Sequence, residues 1–299
     1  MSFSYEDCRL CGRSCGVDRT ETLGYCQMSD KLFVARAALH MWEEPIISGT
    51  RGSGTVFFSG CSLRCVYCQN REISRAESGL EIGCERLAEI MLELQDKGAH
   101  NINLVTPTHY APTIKRAVML SREMGLEIPI VYNTSGYDSV DTVKTLARTV
   151  DVYLTDFKYK LSKTAKKYSD APDYSAVAGA ALNEMVKSTG KVVLDGNGLI
   201  KRGTVVRVLV LPMHVAEAKL IISSLYKQYG DDIYFSIMNQ YTPMKGAERP
   251  LDRKVTADEY SEVVDYAVSL GIKHAFIQEA EAQSDSFIPP FDNTGVIKV

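Results

Sequence analysis

The chain predicts an α/β fold built on parallel strands, and three observations lead there. Strand-like and helix-like segments alternate from residue 55 to residue 278. One strand-like segment, Val205–Leu211, is an apolar run broken only by Arg207, of the kind that suits a sheet covered on both faces. With 299 residues, 45% of them hydrophobic, the chain is long enough to bury one large core.

Taken in order, Thr55–Ser59 is a short β-branched and aromatic run that leads straight into a cysteine-rich loop. Cys84–Lys97 carries Leu87, Ile90, Met91 and Leu94 at helical spacing and stops at Gly98. Asn101–Thr106 is strand-like and ends at Pro107, and Thr113–Met124 is a helix pattern ending at Gly125. Ile128–Asn133 and Asp151–Phe157 are strands flanking a helix at Ser139–Arg148, whose Val140, Val143, Leu146 and Ala147 share one face. Asp173–Thr189 reads as a helix stopped by Gly190, and Asp195-Gly196-Asn197-Gly198 as a tight turn between two extended pieces. After the Val205–Leu211 strand come a helix at Ala216–Tyr229, a strand at Ile233–Met238 and a helix at Thr256–Leu270. That last helix opens with Thr256 and Glu259, the spacing of a capping box, and Lys273–Gln278 supplies a final strand.

Such alternation implies parallel strands joined by right-handed crossovers. Six strand–helix units and a terminal strand suggest a partial (β/α)6 TIM-type barrel; a doubly wound open sheet is the competing arrangement. In either, functional groups gather at the carboxyl ends of the strands. The expected division is a cysteine-rich, metal-binding N-terminal extension over 1–50, the partial barrel over 51–280 and an irregular tail over 281–299.

Composition narrows the function. The net charge is −3 and the basic residues are scattered, so a nucleic-acid partner is not expected. The longest apolar stretches are strand-sized or amphipathic, so no membrane span is expected either. Met1–Asp7 is acidic and lacks the layout of a secretory signal, which points to the cytoplasm. There, eight cysteines argue for metal or redox chemistry more than for disulfides. Cys84 stands alone at the head of a helix and reads as an ordinary, partly buried side chain.

Cys61, Cys65 and Cys68 follow an apolar strand within Gly60-Cys61-Ser62-Leu63-Arg64-Cys65-Val66-Tyr67-Cys68-Gln69-Asn70. Three close thiolates can hold three irons of a [4Fe–4S] cluster and leave the fourth iron open. The competing reading is a structural zinc site, but zinc usually takes two Cys pairs or a Cys/His pairing, and no histidine lies close. The segment resembles the cluster loop of the radical S-adenosylmethionine (SAM) superfamily, most nearly the branch typified by pyruvate formate-lyase activating enzyme. The resemblance implies a [4Fe–4S] cluster on the three cysteines, SAM as cosubstrate, and reductive cleavage to a 5′-deoxyadenosyl radical that abstracts hydrogen from a substrate. It implies an electron donor such as flavodoxin or ferredoxin, and a protein or peptide substrate, by analogy a glycine of a partner enzyme. Modification of a small metabolite is an alternative, as is a non-catalytic iron–sulfur or zinc scaffold.

The resemblance also suggests cofactor contacts. Tyr67 sits where the family places an aromatic beside the adenine. Tyr132-Asn133-Thr134-Ser135-Gly136 resembles the activase Asp-Thr-Asn-Gly motif, making Asn133 and Ser135 candidates. Leu154-Thr155-Asp156-Phe157-Lys158 resembles Leu-Asp-Leu-Lys, so Lys158 is a candidate for the SAM carboxylate; Arg207 and Gln240-Tyr241 follow on later strands. The family's Gly-Gly-Glu is replaced by Val105-Thr106-Pro107-Thr108-His109-Tyr110, within which His109 is a candidate proton donor or substrate contact. Cys8, Cys11, Cys15 and Cys26 place four thiols near Gly12, Gly16 and Gly24, a set suited to zinc or a second iron–sulfur site. Together with Trp42-Glu43-Glu44-Pro45, that module resembles a subgroup of activating-enzyme-like proteins.

Overall fold

Residues 3–278 and 288–298 are described by a computed structural model. The chain enters the sheet with β1 (Leu32–His40), turns through the short helix α1 (Pro45–Ser48), and runs back antiparallel as β2 (Ser53–Phe58). Next come α2 (Arg71–Ser74), the short edge strand β3 (Leu80–Ile82) and α3 (Cys84–Asp96). The repeating part continues through β4 (Ile102–Val105), α4 (Ala111–Glu123), β5 (Ile130–Thr134), α5 (Val140–Leu146) and β6 (Val152–Asp156). It then passes through α6 (Ser162–Ser169), α7 (Tyr174–Thr189), β7 (Val193–Leu194), β8 (Ile200–Leu209) and α8 (Val215–Tyr229). The sequence of elements closes with β9 (Tyr234–Met238), α9 (Ala257–Ser269) and β10 (Ala275–Ile277).

The sheet order is β10-β9-β8-β6-β5-β4-β2-β1-β3, and every pairing from β2 to β10 is parallel. Order in space follows order in sequence, so each crossover steps the same way and there is no switch point. That winding is the one a barrel uses, and it decides against the doubly wound alternative. Among the described residues β3 and β10 do not pair, so the barrel is partial.

Period-two alternation sorts the strand side chains. On the outer face, Ile102, Leu104 and Ile130 pack under Leu87, Ile90, Met91, Ile114 and Val118 of α3 and α4. Val206, Val208, Phe235 and Ile237 do the same under Ile221, Ile222 and Val263 of α8 and α9. On the inner face, the lower part of the barrel is plugged by α1. Ile46 and Ile47 pack against Val131, Val152, Leu154 and Val205, and Asn101 Nδ2 donates to the Ile47 carbonyl at 2.8 Å.

The capping box predicted at Thr256 and Glu259 is formed in both directions, and Asp195–Gly198 joins the antiparallel pair β7–β8. The strand Leu32–His40 lay inside the expected extension, yet it is a full member of the sheet. Of the expected tail, residues 288–298 are irregular but packed: Ala37 N donates to Thr294 O at 2.8 Å and Val296 is fully buried. Residues 279–287 and 299 lie outside the described residues. No helix among the described residues is long and apolar enough to cross a membrane.

Candidate functional site

The cysteine loop begins where β2 ends. Gly60 has φ +86°, and a Cβ there would stand 2.2 Å from Met28 Cγ, so only glycine lets the chain turn under the N-terminal segment. The loop is then pinned from outside. Arg13 Nε donates to Ser62 O at 2.8 Å, Arg13 Nη2 to Ser169 O at 2.7 Å, and Val66 N to Tyr168 O at 2.9 Å. The Arg13 and Arg64 guanidinium groups both lie over the Tyr25 ring, 3.9 and 4.3 Å from its centroid. The extension therefore clamps the loop.

Cys61, Cys65 and Cys68 line one cavity of about 450 Å³, together with Tyr67, Asn133, Ser135, Lys158, Arg207 and Tyr241. Every residue named from sequence as a cluster or SAM contact is thus brought to one place. Burial pushes the Cys61 thiol up and the Cys68 thiol up to about 12, each raised further by its neighbouring cysteines. Cys65 Sγ accepts a hydrogen bond from Ser169 Oγ at 2.9 Å. The Ser169 hydroxyl stands 2.7 Å from that of Tyr159, and the Tyr159 hydroxyl 2.7 Å from that of Tyr67. The Tyr67 ring is held edge-on by Tyr159, Tyr168 and Tyr241.

A second set of contacts joins the strand ends. Asp156 accepts from Lys158 Nζ at 2.6 Å and from Arg207 Nε at 2.7 Å. Arg207 Nη2 donates to Asn133 Oδ1 at 2.5 Å, and Nη1 stands 3.5 Å from Glu43 Oε2. Asn103 Nδ2 donates to Glu43 Oε1 at 2.8 Å. Burial raises the Asp156 carboxyl, but the charges of Arg207 and Lys158 outweigh it and hold Asp156 below the usual carboxylate range. Burial raises Glu43 and Glu44 as well, and for these it prevails.

The sequence reading missed Glu43, Glu44, Asp156 and Asn103 as site residues. Asp156 was legible, because it sits two residues before Lys158 on the inward-facing register of its strand. The glutamates were not, since nothing local says that the α1 segment enters the barrel. Tyr241 lines the cavity with its ring, while its hydroxyl donates to Leu251 O at 2.5 Å; the Gln240 amide beside it accepts from Gln278 Nε2 at 3.5 Å. His109 corrects an expectation: it lies outside the cavity, fully enclosed, with Nε2 2.8 Å from Ser59 O. Burial and then the Arg19 charge depress its pKa to about 3, so it is a neutral structural side chain. In the same segment Thr106, at φ +60°, lines the cavity, whereas Thr108 turns away to Asp138 at 2.8 Å.

In the extension, Cys8, Cys11 and Cys26 are buried and Cys15 is exposed. Among the described residues no three His, Cys, Asp or Glu side chains close on a single ion position. A polynuclear cluster takes each thiolate on a different iron. Three thiols enclosed in one cavity, with a hydroxyl donor already on one sulfur, fit such a group.

Residues 55–169 match the family model described as the radical SAM superfamily. A curated protein of Methanocaldococcus jannaschii, described as uncharacterised, is 27% identical over 275 residues, covering 88% of this chain and 75% of that one. The structure named native anSMEcpe with bound AdoMet and Cp18Cys peptide has a TM-score of 0.50 at 12% identity, covering 73% of this chain and 60% of that one. SuiB of Streptococcus suis has a TM-score of 0.48 at 15% identity, and this chain spans about half its length, 48% against 74% of this chain. The matched segment holds the cysteine loop and the strand ends Asn133 and Lys158 that line the cavity.

Proposed function

We propose that this chain is a radical SAM enzyme of the activating-enzyme-like kind, abstracting hydrogen from a polypeptide substrate. The observation that carries the reading is the convergence of Cys61, Cys65, Cys68, Tyr67, Asn133, Ser135, Lys158 and Arg207 on one cavity at the carboxyl ends of parallel strands. When bound, a [4Fe–4S] cluster with an open iron supplies one electron that splits SAM into methionine and a 5′-deoxyadenosyl radical. The chain's own part is ligation by the three cysteines, stacking by Tyr67, and a charged rim. Lys158 and Arg207, which share the Asp156 carboxylate, are the cations available to a SAM carboxylate. Asn133 and Ser135 supply hydrogen bonds to its polar groups. The buried walls keep water from a reactive radical. The substrate is a glycine of a partner enzyme or a peptide; the protein named anSMEcpe, which shares the fold, is bound to a peptide.

The test is anaerobic reconstitution with iron and sulfide, followed by dithionite and SAM. 5′-Deoxyadenosine should form, and Cys65→Ala should abolish it. An intact cluster that neither binds nor cleaves SAM would sink the proposal. A glycyl-radical signal on a partner enzyme, against deoxyadenosine coupled to an added peptide, separates the two substrates.

For the quartet we propose a tetrathiolate metal, zinc or iron. Arg19 supports it: the side chain is fully buried, forms no carboxylate ion pair among the described residues, and directs Nη1 to Cys8 Sγ at 3.8 Å. A buried guanidinium requires an anion, and a metal carrying four thiolates is one. Metal analysis of the full chain beside a Cys8→Ser, Cys26→Ser variant tests this; equal metal content in the two would refute it.

A further inference from the structure

The acidic pair at the floor of the cavity is used by nothing described so far. Glu43 and Glu44 end the segment that plugs the barrel, and both line the cavity. They differ in how they are satisfied. Glu43 accepts from Asn103, Asn133 and Arg207. Glu44 is 8% exposed and takes part in no ion pair among the described residues; Ser236 and the Arg207 charge favour its ionised form, yet its Oε2 has no hydrogen-bond partner. The nearest cation, Arg207, is committed to Asp156, Asn133 and Glu43. The amide that holds Glu43 leaves a second orphan, since Asn103 Oδ1 is buried and unpartnered.

Unmet buried acceptors are costly. Among the described residues, the carboxylates lining the cavity, Glu43, Glu44 and Asp156, outnumber its lysine and arginine, Lys158 and Arg207. Burial lowers the pKa of the one histidine there, His40, so it does not supply the missing charge. Beside the acids the wall is apolar, made by Phe57, Leu209, Met238 and Phe276. A negative floor beneath an apolar wall complements a cation on an aliphatic stem.

We propose that the cavity recognises its substrate through a cationic N–H donor, an ammonium or guanidinium group on an aliphatic stem, which docks on Glu44 beside Glu43. The inference rests on the cavity being the substrate chamber of the enzyme proposed above, and it names what that chamber selects. A lysine or arginine side chain of a polypeptide and a free alkylamine present the same chemistry.

The experiment uses the anaerobically reconstituted full chain and four small probes: n-butylammonium, n-butylguanidinium, n-butanol and butyrate. Affinities are read by calorimetry or ligand-detected NMR. The cations should bind at least about tenfold more tightly than butanol or butyrate, a difference of roughly 1.4 kcal/mol. Glu44→Gln should remove that preference while melting temperature and cluster absorbance report an intact, loaded protein. A blocked Gly-Lys-Gly peptide binding more tightly than butylammonium assigns the cation to a polypeptide, and equal binding assigns it to a free amine; both support cation recognition. Butanol or butyrate binding as well as the cations would overturn it, as would a folded Glu44→Gln variant that keeps the preference. Should that variant not fold, the ranking of probes on the unaltered protein still decides. SAM cleavage is measured on the same batch. Lost cleavage with cation preference retained counts against the enzyme assignment, and intact cleavage with no preference counts against this inference alone.

Discussion

Ser169 should set the reduction potential of a cluster held by Cys65. Its hydroxyl donates to Cys65 Sγ at 2.9 Å from a position only 3% exposed. A hydroxyl has one proton. With a thiolate as acceptor, that proton goes to sulfur, while the Tyr159 hydroxyl, 2.7 Å away, gives its own proton to Tyr67. Reduction adds negative charge to the cluster and its thiolates, so the donor stabilises the reduced state more than the oxidised one. A hydrogen bond to a charged group contributes about 1.5–3 kcal/mol. If the part that differs between redox states is about 1 kcal/mol, the one-electron relation of about 59 mV per tenfold gives a shift of roughly 40 mV. Ser169→Ala should therefore lower the midpoint by about that amount, read by an anaerobic redox titration followed by electron paramagnetic resonance. A Ser169→Ala midpoint within about 15 mV of the unaltered protein, less than a twofold change in reduced fraction, would refute the reasoning. So would a positive shift.

Three further outcomes follow from the packing. Gly60→Ala places a methyl at φ +86° against Met28 and should cost about 1–3 kcal/mol, with iron content after reconstitution falling in step. Ile47→Ala empties the barrel plug at a fully buried position and should cost about 2–5 kcal/mol in denaturant melts, against about 0.5–1.5 for Ile47→Val. Glu259 is depressed to about 2, chiefly by its hydrogen bonds from Arg253, and it also accepts from Thr256 N and Met213 N. A depressed carboxyl stabilises the fold above its unfolded pKa and loses that contribution as pH falls through the folded value. Glu259→Gln should therefore melt earlier at neutral pH, with the difference closing between about pH 4.5 and 2.

How much was legible follows from how local each feature is. The cysteine spacing, the glycine before it and the capping box at Thr256 are set by neighbouring residues, and each was found in place. Ile102–Val105 and Val152–Asp156 were legible as strands because both faces are covered, so each run is mostly apolar, with Asn103, Thr155 and Asp156 as the polar members. β1 went unread because its pairing partner begins thirteen residues past its own end only after a plug whose burial no local pattern announces. His109 looked reactive as a bare residue type, and only its enclosure by Ser59 and Arg19 makes it inert.

By itself, the sequence determined the three-cysteine loop and the alternation of strands and helices, because thiol spacing and apolar periodicity act over a few residues. The tertiary structure decided the rest. It chose a singly wound, partial barrel over a doubly wound sheet, since crossover direction is a property of packed layers and not of any one segment. It also carried Glu43 and Glu44 from an N-terminal turn into the cavity beside Asp156 and Arg207. Residues more than a hundred positions apart share an electrostatic environment only after the barrel has formed and excluded the water that would otherwise separate them.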